Sequence, residues 1–167
     1  GKDNDSGARL AVEDINAKGG VEIGGKKYTI ELLSEDDAAD PKQGTIAAQK
    51  IVDHGKVLGV IGHYNSGVTM AANPVYAKAN LFTVTPSASN PDVVAKSMKT
   101  ASGSNSSYRM VAHDGMQGPA LAAYANKIGI KKVAIIDDAT TYGKGLADKF
   151  EGKAKELGMD VVYREAT

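Results

Sequence analysis

The stretch that decides the fold is Val57-Leu58-Gly59-Val60-Ile61-Gly62-His63-Tyr64-Asn65-Ser66-Gly67. Its first five residues are almost wholly apolar, which is typical of a strand buried on both faces of a parallel sheet. Small and polar residues follow and lead into a helix that we predict from about Gly67 to Ala79. A strand, a polar turn and a helix in this order are the repeating unit of an α/β fold.

The same alternation extends in both directions from this stretch. Asp40-Pro41 predicts a helix start, because Asp caps free N–H groups and Pro loses no hydrogen bond in the first turn. Further strands are predicted at Tyr28–Leu33, Leu81–Val84, Lys132–Ile136 and Asp160–Arg164. Strands separated by helices predict a parallel sheet flanked by helices. The chain opens on a helix and closes on a strand, so we expect both ends of the fold to be cut.

Two further segments carry local predictions. The residues Leu121, Tyr124, Ala125 and Ile128 recur at helical spacing and predict the apolar face of an amphipathic helix. The Ser-rich segment 101–107 predicts an exposed loop. The polar start, Gly1–Asp5, has no signal-peptide pattern, which a mature or excised secreted chain would also lack.

Composition excludes several classes of protein. The 167 residues include 20 basic and 20 acidic side chains and no Cys. Zero net charge argues against a nucleic-acid or anionic-membrane partner, which would attract a basic excess. The lack of Cys excludes a disulfide framework, a thiolate metal site and a Cys nucleophile. No apolar run approaches the roughly 18 residues of a membrane span. We expect no cofactor and no metal.

The loops at the ends of two consecutive strands share one chemistry. Parallel sheets bind ligands outside the carboxyl ends of their strands. Ser66 lies where a hydroxyl meets the first free N–H groups of a helix, which is a favourable anion site. The next strand ends in Thr85-Pro86-Ser87-Ala88-Ser89-Asn90, which is rich in small hydroxyl residues. A single such loop usually only caps a helix, but two adjacent ones predict a crevice for a small ligand with a carboxylate or several hydroxyls.

An enzyme is the alternative from another functional class. His63 lies near Ser66 in sequence, and Asp37 or Asp137 would complete a hydrolase triad, although the chain has no Gly-x-Ser-x-Gly motif. The same two Asp residues would suit a phospho-acceptor domain. They lie far apart in sequence, and acidic loop residues are more often caps or solvated groups. The residues alone therefore define no catalytic constellation.

Several segments resemble the type I extracytoplasmic solute-binding proteins, most closely the Leu/Ile/Val-binding proteins of branched-chain amino-acid ABC transporters. The resemblance runs in register along the whole chain, and its motifs occur in the family's order. The segments that carry it are 7–20, 36–43, 60–67, 85–91 and 134–147.

This resemblance implies two α/β lobes that close on a ligand between them. Residues 1–110 would form lobe 1, nearly complete but without its first strand. Residues 111–114 would be the first hinge crossing, and residues 115–167 the incomplete start of lobe 2. Some family members have a disulfide between the positions that Ala39 and Asn65 occupy here, so that covalent link is absent.

The resemblance also implies a binding site for an amino acid. Ser66 would bind the ligand carboxylate, while the Ala88 backbone and the Ser89 hydroxyl would hold its carboxylate and ammonium groups, with Ser87 in the same loop. Tyr64 would line the side-chain pocket, and Tyr142 would reach across from lobe 2. The acidic residue that lobe 2 normally offers to the ammonium group would lie outside this chain.

The function implied is that of the substrate-binding component of an ABC transporter. It would deliver a small amino acid, with Leu, Ile or Val favoured, to a membrane permease from the periplasm or from a membrane-tethered extracytoplasmic position. A different ligand, such as another amino acid, an amide or a small aromatic acid, stays open. So do a sensory domain of the same fold, the enzyme alternative above, and a dimer formed through exposed or swapped strands.

Overall fold

The computed structural model describes residues 1–167 and contains six helices and seven strands. The helices are α1 (Lys2–Ala17), α2 (Pro41–Asp53), α3 (Ser66–Lys78), α4 (Asp92–Ala95), α5 (Asp114–Lys127) and α6 (Thr141–Glu156). The strands are β1 (Val21–Ile23), β2 (Lys26–Tyr28), β3 (Gly59–Ile61), β4 (Phe82–Thr85), β5 (Ser107–Arg109), β6 (Lys132–Asp137) and β7 (Asp160–Ala166). No helix combines the length and the hydropathy needed to cross a membrane.

The strands form two parallel sheets and one antiparallel hairpin. In the first sheet the order is β3-β4-β5, with Val60 opposite Thr83 and Val84 opposite Tyr108. In the second sheet β6 pairs with β7, and β1 pairs with β2 in the hairpin. The prediction of parallel strands alternating with helices is therefore confirmed. We call β3–β5 with α2–α4 the N-terminal unit, and β6 and β7 with α5 and α6 the C-terminal unit.

The core of the N-terminal unit lies between α2, α3 and the first sheet. The predicted start of α2 is confirmed, because the Asp40 carboxylate accepts hydrogen bonds from the N–H groups of Lys42 and Gln43, both at 2.9 Å. Small side chains bring α2 and α3 close together around the buried ring of Tyr76. The buried members of this cluster are Ala48, Ile51, Ala72 and Tyr76.

In the C-terminal unit, α5 packs on α6 through small residues. A Cβ atom added at Gly118 would lie 2.8 Å from the Phe150 backbone nitrogen, so the two helices nearly touch there. The predicted apolar face of α5 is wrong for Leu121, Tyr124 and Ile128, which are exposed, although Ala125 is buried. The Gly and Ala side of the helix is buried instead, because only small side chains permit this close approach.

The prediction of strands buried on both faces is also wrong. Val60 packs against the core beneath α2 and α3, whereas Ile61 and Phe82 on the opposite face are exposed, and Leu58 is 82% exposed. β3 is an edge strand that pairs only with β4. In the second sheet Ile135 is buried, but its neighbour Ile136 points to the exposed face. Each sheet is thus covered on one side by its own helices.

Two loop and strand predictions need correction as well. Residues 29–33 form no strand, because no neighbouring strand pairs with them; instead the Asn16 side-chain amide bonds both the N–H and the carbonyl of Ile30, each at 2.8 Å. The end of the Ser-rich segment is not exposed. Ser106 and Ser107 are fully buried, since the Ser106 carbonyl accepts a hydrogen bond from the Thr83 N–H at 2.7 Å and β5 begins at Ser107.

Arg164 of β7 holds the end of β6 against α6. Its guanidinium donates to the carboxylates of Asp137 and Asp148 at 2.9 Å and of Glu151 at 2.8 Å. The pKa of Asp148 is lowered by its hydrogen bond from Lys144 and by Arg164. The pKa of Glu151 is lowered in the same way by Lys155 and Arg164. These lowered values make the cluster sensitive to acid.

We expect the double substitution Asp148→Asn and Glu151→Gln to reduce the free energy of unfolding at neutral pH but not in acid. A carboxyl whose folded pKa is lowered stabilises the fold above its unfolded pKa, about 4, and that stability is lost as pH falls through the folded pKa. Urea unfolding at a series of pH values from 7 to 2 measures this difference. The control Glu165→Gln, at an exposed carboxylate without a partner, should behave like the parent. A difference that stays constant down to pH 2 would contradict the linkage.

Candidate functional site

The carboxyl ends of β3 and β4 bring the two polar loops into contact. Thr85, the last residue of β4, is fully buried. Its hydroxyl donates to the His63 carbonyl at 2.7 Å and accepts from the Ala88 N–H at 2.9 Å. One side chain therefore ties the loop after β3 to the loop after β4, and both loops lie at the same edge of the sheet.

Ser66 lies at the meeting point of these loops. It is the first residue of α3 and only 1% exposed. Its oxygen accepts a hydrogen bond from the backbone N–H of Asn90 at 3.2 Å. Because the oxygen is the acceptor in this bond, the hydroxyl hydrogen remains available to a ligand at the N-terminus of the helix.

The other three predicted site residues of the second loop are Ser87, Ala88 and Ser89. Ala88 and Ser89 are buried and Ser87 is half-buried. The Ser89 carbonyl accepts from the N–H of Asp114, the first residue of α5, at 2.9 Å. The Ser87 hydroxyl accepts from the side chain of Asn4 at 3.1 Å, so α1 also contacts this loop.

The two tyrosines predicted to line the site are more open. Tyr64 is 50% exposed and Tyr142 is 39% exposed. Tyr142 is the second residue of α6, whose N-terminus is capped by the Thr140 hydroxyl, which accepts from the Gly143 N–H at 2.9 Å. Neither tyrosine is hydrogen-bonded to the serines, but the residue before Tyr142 is bonded to the second loop. The Thr141 carbonyl accepts from the Asn90 side-chain amide at 2.9 Å.

His63 forms a buried chain of polar groups behind the first loop. Its Nδ1 lies 2.6 Å from an Asp37 carboxylate oxygen, and its Nε2 lies 3.1 Å from the Tyr76 hydroxyl. Burial, with a smaller contribution from the Asp37 charge, raises the pKa of Tyr76 far above its ordinary value. Tyr76 therefore keeps its proton. In the tautomer whose ring proton lies on Nδ1 and is donated to Asp37, Nε2 accepts from the Tyr76 hydroxyl.

This arrangement differs from the hydrolase triad considered above. A triad needs one imidazole nitrogen directed at the serine hydroxyl, but both nitrogens of His63 face other partners, Asp37 and Tyr76. Asp137 lies in the other sheet, where its carboxylate accepts from Arg164. No three His, Asp or Glu side chains are grouped in a way that could hold a metal ion.

A surface groove of about 310 Å³ lies between α2 and α3, at the opposite end of α3 from Ser66. Its lining residues are Gln49, Val52, Pro74, Val75, Lys78 and Ala79. It carries no Ser, Thr or acidic side chain that would orient a polar ligand. The loops after β3 and β4 are therefore the better candidate site.

Sequence comparison identifies the family of this chain. The model of the periplasmic binding protein family matches residues 1–167. The chain belongs to the periplasmic binding protein family. It is 40% identical to an amino acid binding protein of Pseudomonas aeruginosa over 96% of this chain and 41% of that protein. It is 38% identical to a Leu/Ile/Val-binding protein of Citrobacter freundii over 95% of this chain and 40% of that protein.

Solved structures agree with this assignment. The branched-chain amino acid transporter substrate-binding protein of Streptococcus pneumoniae, in complex with isoleucine, matches all of this chain with a TM-score of 0.83 and 30% identity. An ABC transporter substrate-binding protein of Desulfitobacterium hafniense, in complex with Leu, matches 98% of it with a TM-score of 0.78 and 30% identity. The expected type I fold is confirmed. The chain spans 44% and 46% of these two structures.

Sequence reasoning missed two residues that organise the site, Thr85 and Asn90. Both lie in the second loop, and their hydroxyl and amide groups can each form more than one hydrogen bond. Nothing in the sequence shows that Asn90 reaches Thr141, 51 positions along the chain.

We expect Tyr76→Phe to lower the free energy of unfolding by about 1–3 kcal/mol, because His63 Nε2 would be left buried without its hydrogen-bond partner. Urea unfolding measures the change. Tyr124→Phe is the matched control, since the Tyr124 side chain is exposed and its hydroxyl has no partner. Equal, small effects of the two substitutions would show that the buried hydrogen bond contributes nothing.

Proposed function

We propose that this chain belongs to the substrate-binding component of an ABC transporter and contributes to binding a branched-chain amino acid. The observation that carries the proposal is the Ser66 hydroxyl. Its oxygen accepts from the Asn90 N–H, so its hydrogen is free to be donated at the N-terminus of α3. The named ligands of similar proteins, Leu and isoleucine, carry the carboxylate that such a donor would bind.

The two ends of the ligand would meet different chemistry. At the carboxylate, Ser66 would donate its hydroxyl hydrogen, and the N-terminus of α3 would add its positive partial charge. At the ammonium group, the Ala88 carbonyl and the Ser89 hydroxyl would accept hydrogen bonds. Tyr64 and Tyr142, with Ser87 at the edge of the loop, would surround the remainder of the ligand.

We assign residues 1–110 to lobe 1, residues 111–114 to the first hinge crossing and residues 115–167 to lobe 2. The two parallel sheets support this division, because β5 ends the first sheet at Arg109 and α5 begins the C-terminal unit at Asp114. The proposed ligand would lie between them, and contacts to both lobes would favour the closed arrangement.

The cellular role follows from the same proposal. Members of the family act outside the cytoplasm, so we place this chain in the periplasm or tethered to the outer side of a membrane, where it would deliver its ligand to a permease. We also propose that it is not an enzyme, because His63, the best candidate base, is directed away from Ser66.

Calorimetric titration tests the ligand. The gene product that carries these residues should release or absorb heat with Leu, Ile and Val, and much less with Asp, Lys or 4-hydroxybenzoate. The proposed carboxylate contact is common to all these ligands, so discrimination among them would come from the pocket walls. An absence of heat with every aliphatic amino acid would overturn the proposal.

Ser66→Ala tests the carboxylate contact. We expect it to weaken every carboxylate ligand by about 1–3 kcal/mol, because a charge-assisted hydrogen bond is lost, and to leave the ranking among ligands unchanged. Ser6→Ala, at an exposed hydroxyl of α1 without a hydrogen-bond partner, is the control and should bind like the parent. A reshuffled ranking would mean that Ser66 faces the ligand side chain instead.

A further inference from the structure

Asn90 connects the candidate site to the C-terminal unit. It is 8% exposed, and all four of its polar groups are hydrogen-bonded. Its backbone N–H donates to the Ser66 hydroxyl at 3.2 Å, and its carbonyl accepts from the Arg109 guanidinium at 3.2 Å. Its side-chain oxygen accepts from the Asp92 N–H at 2.9 Å, and its side-chain nitrogen donates to the Thr141 carbonyl at 2.9 Å.

Only one of these four bonds crosses between the units. Ser66, Arg109 and Asp92 all belong to the N-terminal unit, where they hold Asn90 in a single orientation. Thr141 is the first residue of α6 in the C-terminal unit. The amide nitrogen of Asn90 is therefore a preoriented donor whose partner is supplied from the other unit, and separating the units would leave it without that partner.

Two glycines allow the units to approach this closely. A Cβ atom at Gly145 of α6 would lie 2.5 Å from the Asn90 side-chain nitrogen. A Cβ atom at Gly67 of α3 would lie 3.1 Å from the Thr141 hydroxyl. The N-terminal turns of α3 and α6 thus meet at positions that have no side chain, next to the hydrogen bond from Asn90.

We propose that Asn90, Gly67 and Gly145 form a latch that stabilises the arrangement in which the two units are in contact, and that joins this closure to Ser66. The Asn90 side chain donates a hydrogen bond to the Thr141 carbonyl, and its backbone N–H donates one to the Ser66 hydroxyl. Breaking the latch would shift the molecule toward separated units and reduce the population that can bind. The effect on ligand affinity rests on the proposed function; the effect on closure does not.

Asn90→Asp separates the latch from the other roles of this residue. The substitution keeps the shape of the side chain, an oxygen that accepts from Asp92 and both backbone bonds. It replaces the amide donor by a charged carboxylate oxygen that faces the Thr141 carbonyl, so the bond between the units is lost and the two oxygens repel each other. Gly145→Ala disturbs the same contact from α6. Gly152→Ala is its matched control, because it makes the same exchange in the same helix with nothing within 4 Å.

Distances between the units provide the decisive measurement. Spin labels are attached to cysteines introduced by Lys42→Cys on α2 and Lys127→Cys on α5. Residues 1–167 contain no other Cys that the label could modify. Double electron–electron resonance is recorded on the gene product that carries these residues, with leucine and without it. We expect Asn90→Asp and Gly145→Ala each to shift the distance distribution away from that of the parent, and Gly152→Ala to leave it unchanged. Unchanged distributions in both latch variants would overturn the latch.

Ligand titration of the same variants separates this inference from the proposed function. Leucine affinity should fall about three- to tenfold in Asn90→Asp, the range that one neutral hydrogen bond supports, with the ranking of ligands preserved. If no aliphatic amino acid binds the parent while the distances shift as expected, the ligand proposal fails and the latch stands. If leucine binds all variants equally and the distances do not change, the latch fails and the ligand proposal stands.

Discussion

The hydrogen bond from the buried Thr85 hydroxyl to the His63 carbonyl is the contact on which the rest of the site depends. It is made possible by the parallel pairing of β3 with β4, which ends both strands at the same edge of the sheet. The same hydroxyl accepts from Ala88, so the second loop folds back toward Ser66. Together with the hydrogen bond from the Asn90 N–H to the Ser66 oxygen, this bond holds the two polar loops beside the N-terminus of α3.

Behind the first loop, Asp37, His63 and Tyr76 supply a second, polar attachment. They join the turn before α2, the loop after β3 and the last turn of α3, which are otherwise held by small apolar residues. Some relatives are expected to have a disulfide between the positions of Ala39 and Asn65, close in sequence to this network. Here the same two segments are connected by the Asp37–His63 pair, whose strength comes from burial and short distance. The link is therefore noncovalent and depends on all three groups.

The chain has zero net charge, and the polar groups of the candidate site are concentrated in two loops. The proposed ligand, a zwitterionic amino acid, carries no net charge. Long-range electrostatic attraction would therefore contribute little, and recognition would rest on hydroxyls, backbone groups and helix ends. The charged residues with the clearest contacts act elsewhere: Arg164 joins β6, β7 and α6 through three carboxylates. That cluster positions the turn before Tyr142. The ion pairs of Arg164 therefore stabilise the C-terminal unit, while uncharged groups line the candidate site.

The sequence by itself determined the α/β class, the start of α2 at Asp40-Pro41 and the two loops that form the site, because caps, turns and apolar runs act over a few neighbouring residues. It could not determine which face of α5 is buried. Gly118 and Ala122 lie on the buried face because their small size lets α6 approach closely, and the sequence does not show where α6 packs. Nor could it show that residues 29–33 lack a pairing strand, that Ser107 is buried, or that Asn90 reaches Thr141. Those features depend on which distant segments lie next to one another, and only the tertiary structure decides that.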